Sequence, residues 1–84
     1  MTDSVMEIYI KPGCPWCVEV IAYLEKTGYT FTTIDVTADA AAFERMKELF
    51  GQTSAPSMTV GALKLADFGV EELVPFLKEH DLQP

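Results

Sequence analysis

The chain predicts an α/β fold in the order β-α-β-α-β-β-α, with three helices flanking a four-stranded mixed sheet. Two β-rich segments, residues 5–10 and 30–36, bracket a segment with helical spacing. That pattern makes a parallel strand pair with a right-handed crossover. Further on, "APSMTVGALKLADF" divides into two short strands around a turn near Gly61, which adds antiparallel strands. A final helical run covers residues 70–80.

Each element has a local reason. Residues 5–10 are apolar and β-branched, and "KPG" ends them. Pro15 suits the first turn of a helix, where a missing N–H costs nothing. From there Val18, Ile21, Ala22 and Leu24 follow helical spacing, and Gly28 is a C-terminal stop. "TFTTIDV" alternates and reads as the second strand. Thr37 or Asp39 caps a helix reaching Phe50, with Phe43, Met46, Leu49 and Phe50 as its buried face and Gly51 behind it. In the last helix Val70, Leu73, Phe76 and Leu77 share a face. Pro75 interrupts that run at a cost of about 3 kcal/mol, so the helix is expected to start late or to kink there.

With 84 residues the chain forms one domain, residues 1–84, and buries roughly 60–65% of its unfolded surface. Hydrophobic residues make up 49% of it, enough for a thin core. The formal net charge is −7 and the six basic residues are scattered, which disfavours nucleic acid as a partner. Residues 1–7 have neither a basic region nor an apolar run, and no stretch approaches the ~18 apolar residues of a membrane span. The expected location is the cytoplasm, where thiols stay reduced and two close cysteines read as catalytic or metal-binding.

Both cysteines lie in "IKPGCPWCVE". At the cap of the first helix, Cys14 meets free backbone N–H groups and the positive end of the helix dipole, with Lys11 three residues upstream. These effects are expected to lower its thiol pKa from about 8.5 and make Cys14 the attacking thiolate. Cys17, one turn further in, is expected to be more buried and to act as the resolving thiol. A zinc site would usually need four ligands, whereas the chain holds two cysteines and one histidine, His80, which reads as a helix-end residue. No bound metal is expected. Trp16, between the cysteines, offers a flat apolar surface for docking.

The motif Lys11-Pro12-Gly13-Cys14-Pro15-Trp16-Cys17, set between a strand and a helix and followed by "TIDV" and "SAP", resembles the dithiol members of the glutaredoxin family of the thioredoxin fold. The resemblance covers most of the chain. It implies a thiol–disulfide oxidoreductase that acts as a monomer without a tightly bound cofactor. Glutathione would be its co-substrate, and disulfide-containing or glutathionylated proteins its partners. It makes Pro56 a cis-proline facing Cys14, with the backbone of Ala55 pairing with a bound thiol peptide. It lays glutathione along Lys11, Trp16, Gln52 or Thr53, Ala55, Pro56 and the segment Asp67, Phe68, Gly69.

Two departures matter. Ser54-Ala55-Pro56 stands where the family usually has Thr-Val-Pro, and Asp67 falls where it usually has glycine. Asp67 places negative charge where an anionic ligand is expected. The same region also resembles small redoxins that take electrons from thioredoxin reductase to serve ribonucleotide reductase. A third reading is a dimeric carrier of an iron–sulfur cluster ligated by Cys14.

Overall fold

Strand β1 (Met6–Ile10) is an inner strand of the sheet in the computed structural model, which describes residues 5–84. Met1 to Ser4, the start of the stretch read above for a leader, lie outside the described residues. The chain continues through α1 (Pro15–Lys26), β2 (Thr32–Asp35), α2 (Ala40–Phe50), β3 (Ser57–Val60), β4 (Leu63–Leu65) and α3 (Val70–Glu79). The sheet order is β2-β1-β3-β4. β1 pairs in parallel with β2, Ile8 opposite Thr33, and antiparallel with β3, Ile8 opposite Met58. β4 folds back on β3 with Val60 opposite Leu63. This is the predicted mixed sheet, and it makes the fold thioredoxin-like.

The alternation of β1 divides the core in two. Met6 and Ile8 face α1 and α3, where they pack with Val20, Leu24, Leu73 and Leu77. Tyr9 points the other way, into a smaller cluster with Ala42 and Met46 of α2. Burying such a side chain contributes about 1.5–3 kcal/mol, so α1 and α3 hold the larger share of the core. No helix among the described residues is long and apolar enough to cross a membrane.

Local chemistry sets the helix ends. Of the two proposed caps for α2, Asp39 is the one used: its Oδ1 accepts the N–H groups of Ala41 at 3.0 Å and Ala42 at 3.3 Å. Thr37 instead donates its hydroxyl to Asp35 Oδ1 at 2.6 Å. Gly51, at φ 66°, ends α2 in the left-handed conformation that glycine adopts without a Cβ penalty.

Three sequence expectations need correction. The buried face of α1 is Cys17, Val20 and Leu24, whereas Val18 is 64% exposed and Ala22 is also exposed. At 100° per residue these two sets fall on different sides of the helix, and the sheet selected the one containing Cys17. The strands are shorter than read: residues 5, 30, 31 and 36 lie outside them. The late start of α3 is overturned, because the helix begins at Val70 and runs through Pro75. Pro75 is exposed, and so is Glu71 four residues before it. The Glu71 carbonyl that loses its helical donor therefore lies on the wet side of α3, where water can replace the N–H.

Candidate active site

The β1–α1 junction positions both cysteines. Cys14 is the N-cap of α1, with φ −86° and ψ 112°, and its Sγ accepts the backbone N–H of Cys17 at 3.2 Å. A sulfur thus takes the place usually held by a serine or aspartate oxygen. Pro15 opens the helix as predicted. Across the cleft, the Cys14 thiol donates to the carbonyl oxygen of Ala55 at 3.8 Å. The Ala55–Pro56 peptide is cis, as the resemblance implied. Cys14 is partly exposed while Cys17 is 3% exposed, and neither is in a disulfide.

Burial pushes the Cys17 thiol up to about 11, and its contact with the Cys14 sulfur adds to the rise. The backbone and charge of Lys11 pull against it more weakly. Lys11, expected to act on Cys14, is therefore also a neighbour of the inner thiol.

Beside Cys14 opens a groove of about 590 Å³. Its walls are Trp16 and Glu19 from α1, Ser54 and Ala55 from the loop before β3, and the run from Asp67 to Glu72 at the start of α3. Of the residues the resemblance assigned to a ligand, Trp16, Ala55, Asp67, Phe68 and Gly69 line this groove, and Lys11, Gln52, Thr53 and Pro56 do not. Trp16 is 60% exposed within the first turn of α1. Phe68 lines the groove yet is only 3% exposed, its ring belonging to the larger core cluster.

Gln52 serves the loop itself. Its Oε1 accepts the Ser54 N–H at 2.6 Å, and its Nε2 donates to Ser57 Oγ at 3.1 Å and to Ser54 O at 3.4 Å. Ser57, which the sequence reading passed over, is fully buried. Its hydroxyl donates to Ser54 O at 2.8 Å and accepts from Gln52 and from the Asp67 N–H at 3.3 Å. This one hydroxyl ties the loop before β3 to the segment leading into α3. A lone serine at the start of a strand carries no signal of such a role in sequence.

Two further features emerge at the start of α3. Asp67 sits at φ 53°, a left-handed conformation that suits the glycine usual at this place. Glu72 folds back so that its Oε1 accepts the Gly69 N–H at 2.8 Å. A carboxylate of the chain itself thus holds a donor at the helix start, where the resemblance expected a ligand's carboxylate. Glu19, Asp67, Glu71 and Glu72 line the groove, and no basic side chain does.

A family model described as glutaredoxin matches residues 6–62. Glutaredoxin 3 of Escherichia coli strain K12 is 33% identical over 79 residues, covering 94% of this chain and 93% of that protein. An uncharacterized glutaredoxin-like 8.6 kDa protein in a rubredoxin operon of Clostridium pasteurianum is 28% identical over 69 residues, covering 82% of this chain and 92% of that protein. Among solved structures, the thioredoxin-like protein BC3987 superposes with a TM-score of 0.77 at 32% identity, over 86% of this chain and 99% of that one. The family match runs through both cysteines and the cis peptide to the turn after β3, short of the groove wall at the start of α3, and the chain belongs to the glutaredoxin family.

Proposed function

We propose that the protein is a cytoplasmic thiol–disulfide oxidoreductase that reduces protein disulfides and glutathione mixed disulfides through Cys14 and Cys17, with glutathione as reductant. One observation carries this reading: a partly exposed sulfur caps a helix 3.8 Å from the carbonyl oxygen of Ala55, a residue that lines an open groove, with a second, buried thiol one turn behind it. The N–H of Cys17, 3.2 Å from Cys14 Sγ, fixes that sulfur at the helix start.

The steps balance as two electrons. Cys14 thiolate attacks one sulfur of the substrate disulfide, forms a mixed disulfide and expels the other sulfur as a thiolate, which takes up a proton. Cys17 then gives up its proton and attacks Cys14 Sγ, releasing the second substrate thiol and leaving a Cys14–Cys17 disulfide. Two glutathione molecules reduce that disulfide and become glutathione disulfide. Burial and the neighbouring sulfur hold Cys17 as a neutral thiol in the reduced protein. Once Cys14 is in a mixed disulfide, the charge contribution of its sulfur disappears and Cys17 ionises more readily.

A second reading keeps the same dithiol and draws electrons from thioredoxin reductase. It is favoured by the carboxylates of the groove, which oppose an anionic co-substrate. Reduction of a protein disulfide with glutathione and its reductase, run beside thioredoxin reductase, decides between the two. Turnover only with the glutathione couple supports the first reading, and turnover only with thioredoxin reductase supports the second. Cys14→Ser is expected to abolish all turnover, and turnover retained in it overturns the nucleophile. Cys17→Ser is expected to keep release of glutathione from mixed disulfides and to lose protein-disulfide reduction. Equal loss of both activities overturns the division of roles.

A further inference from the structure

The groove beside Cys14 is acidic on both sides. Glu19 comes from α1, and Asp67, Glu71 and Glu72 come from the segment opening α3. All four are exposed, so their charge faces whatever enters. The donor best placed to offset it, the Gly69 N–H, is taken by Glu72 at 2.8 Å. Lys11, three residues before Cys14, and Lys64, three before Asp67, both lie outside the lining. Between the acidic walls are the exposed Trp16 and the backbone of Ala55. These suit an extended polypeptide: an aromatic face for an apolar stem and a backbone edge beside the reactive sulfur.

We infer that the groove selects its disulfide substrates by charge, taking polypeptide segments with lysine or arginine beside the reactive cysteine in preference to acidic segments or glutathione disulfide. This rests on the reading of Cys14 as nucleophile. Lysine and arginine fit on two counts, since their alkyl stems lie along the indole while their cationic heads reach the carboxylates. Glutathione disulfide has more carboxylates than amines and meets repulsion from both walls. Complementary charge of this kind acts mainly on the rate of encounter, and salt weakens it.

The test uses synthetic peptides of one length, each with a cysteine in mixed disulfide with thionitrobenzoate and flanked by lysine, serine or glutamate. Cys14 attacks the peptide sulfur and expels the aryl thiolate, whose absorbance reports the rate. The Cys17→Ser protein is used so that the reaction stops at the Cys14–peptide disulfide. At about 0.01 M salt the lysine peptide is expected to react about tenfold or more faster than the glutamate peptide. At about 1 M salt, where the screening length is about 3 Å, the two rates converge. The same convergence at low salt is expected for Glu19→Gln/Asp67→Asn/Glu71→Gln. A control with equal net charge, Glu25→Gln/Glu48→Gln/Glu79→Gln, is expected to keep the wild-type preference. Equal rates for the three peptides at low salt overturn charge selection while leaving the Cys14 reaction standing. Equal loss of preference in both triple variants overturns it in favour of the whole-molecule field. Absence of reaction with every peptide, or reaction persisting in Cys14→Ser, overturns the reading of Cys14 and the selection built on it.

Discussion

Gly69 lies so close to Trp16 that a methyl group built on its α-carbon would stand 3.2 Å from Trp16 Cδ1. The start of α3 and the first turn of α1 thus meet at a glycine and an indole.

This contact makes Gly69→Ala a specific probe. Gly69 has φ −123° and ψ −170°, an extended conformation open to any residue, so the backbone tolerates the change. The added methyl must displace the indole by a few tenths of an ångström. Trp16 is the only tryptophan, so its fluorescence reports the shift directly. A shifted emission maximum is expected together with a stability change below about 1 kcal/mol. An unchanged spectrum would show that the indole is not held by this contact.

Asp67→Gly separates backbone strain from charge. At φ 53° an aspartate carries only a small strain, since its short polar side chain tolerates the left-handed region, while glycine costs about 0.5–1 kcal/mol in unfolded-state entropy. The two terms oppose each other, so stability measured by urea unfolding is expected to stay within about 1 kcal/mol of wild type. A β-branched residue lacks the tolerance of aspartate, and Asp67→Val is expected to lose about 1–2 kcal/mol. If repulsion limits glutathione, Asp67→Gly also lowers the KM for it. An unchanged KM removes that argument.

Ser57→Ala takes away a fully buried hydroxyl with three hydrogen-bond partners, Gln52, Ser54 and Asp67. The stranded groups cost about 1–3 kcal/mol, read as a lowered unfolding midpoint. Because the bonds join the loop before β3 to the segment before α3, faster amide exchange at Asp67 is expected with it. Normal protection there would confine the effect to the loop.

The inner thiol predicts a pH window. Cys17 is raised in the folded protein to about 11 from an ordinary value of 9.0, because folding buries it and favours the neutral form. Its contribution to stability is therefore complete below about pH 9 and is lost as the pH climbs toward 11. The stability of the reduced protein relative to Cys17→Ala is expected to fall across that interval and to be flat between pH 6 and about 8. A gap that stays constant up to pH 11 would contradict the assignment.

Much of this protein can be read along the chain because the signals are local. The alternation of apolar residues foretells β1, the acceptor oxygen of Asp39 and the freedom of Gly51 mark the ends of α2, and Pro15 announces the start of α1. Cys14-Pro15-Trp16-Cys17 at a strand–helix junction is enough to specify a dithiol at a helix start. The α1 face was misread because Val18 and Cys17 are both apolar, and choosing between neighbouring helix faces depends on where the sheet lies. The late start expected from Pro75 fails because the cost of that proline depends on which side of α3 meets water. The bracing role of Ser57, the inward engagement of Gln52, the capture of the Gly69 N–H by Glu72 and the gathering of acidic side chains around one groove were not legible at all. Each joins groups whose relative positions are set by packing. Sequence alone determined the order of elements and the placing of two cysteines at a helix start, since both depend on residues within one or two helical turns of each other. Tertiary structure decided what surrounds that pair, because the groove walls come from α1, the loop before β3 and the start of α3, and only the sheet brings these together.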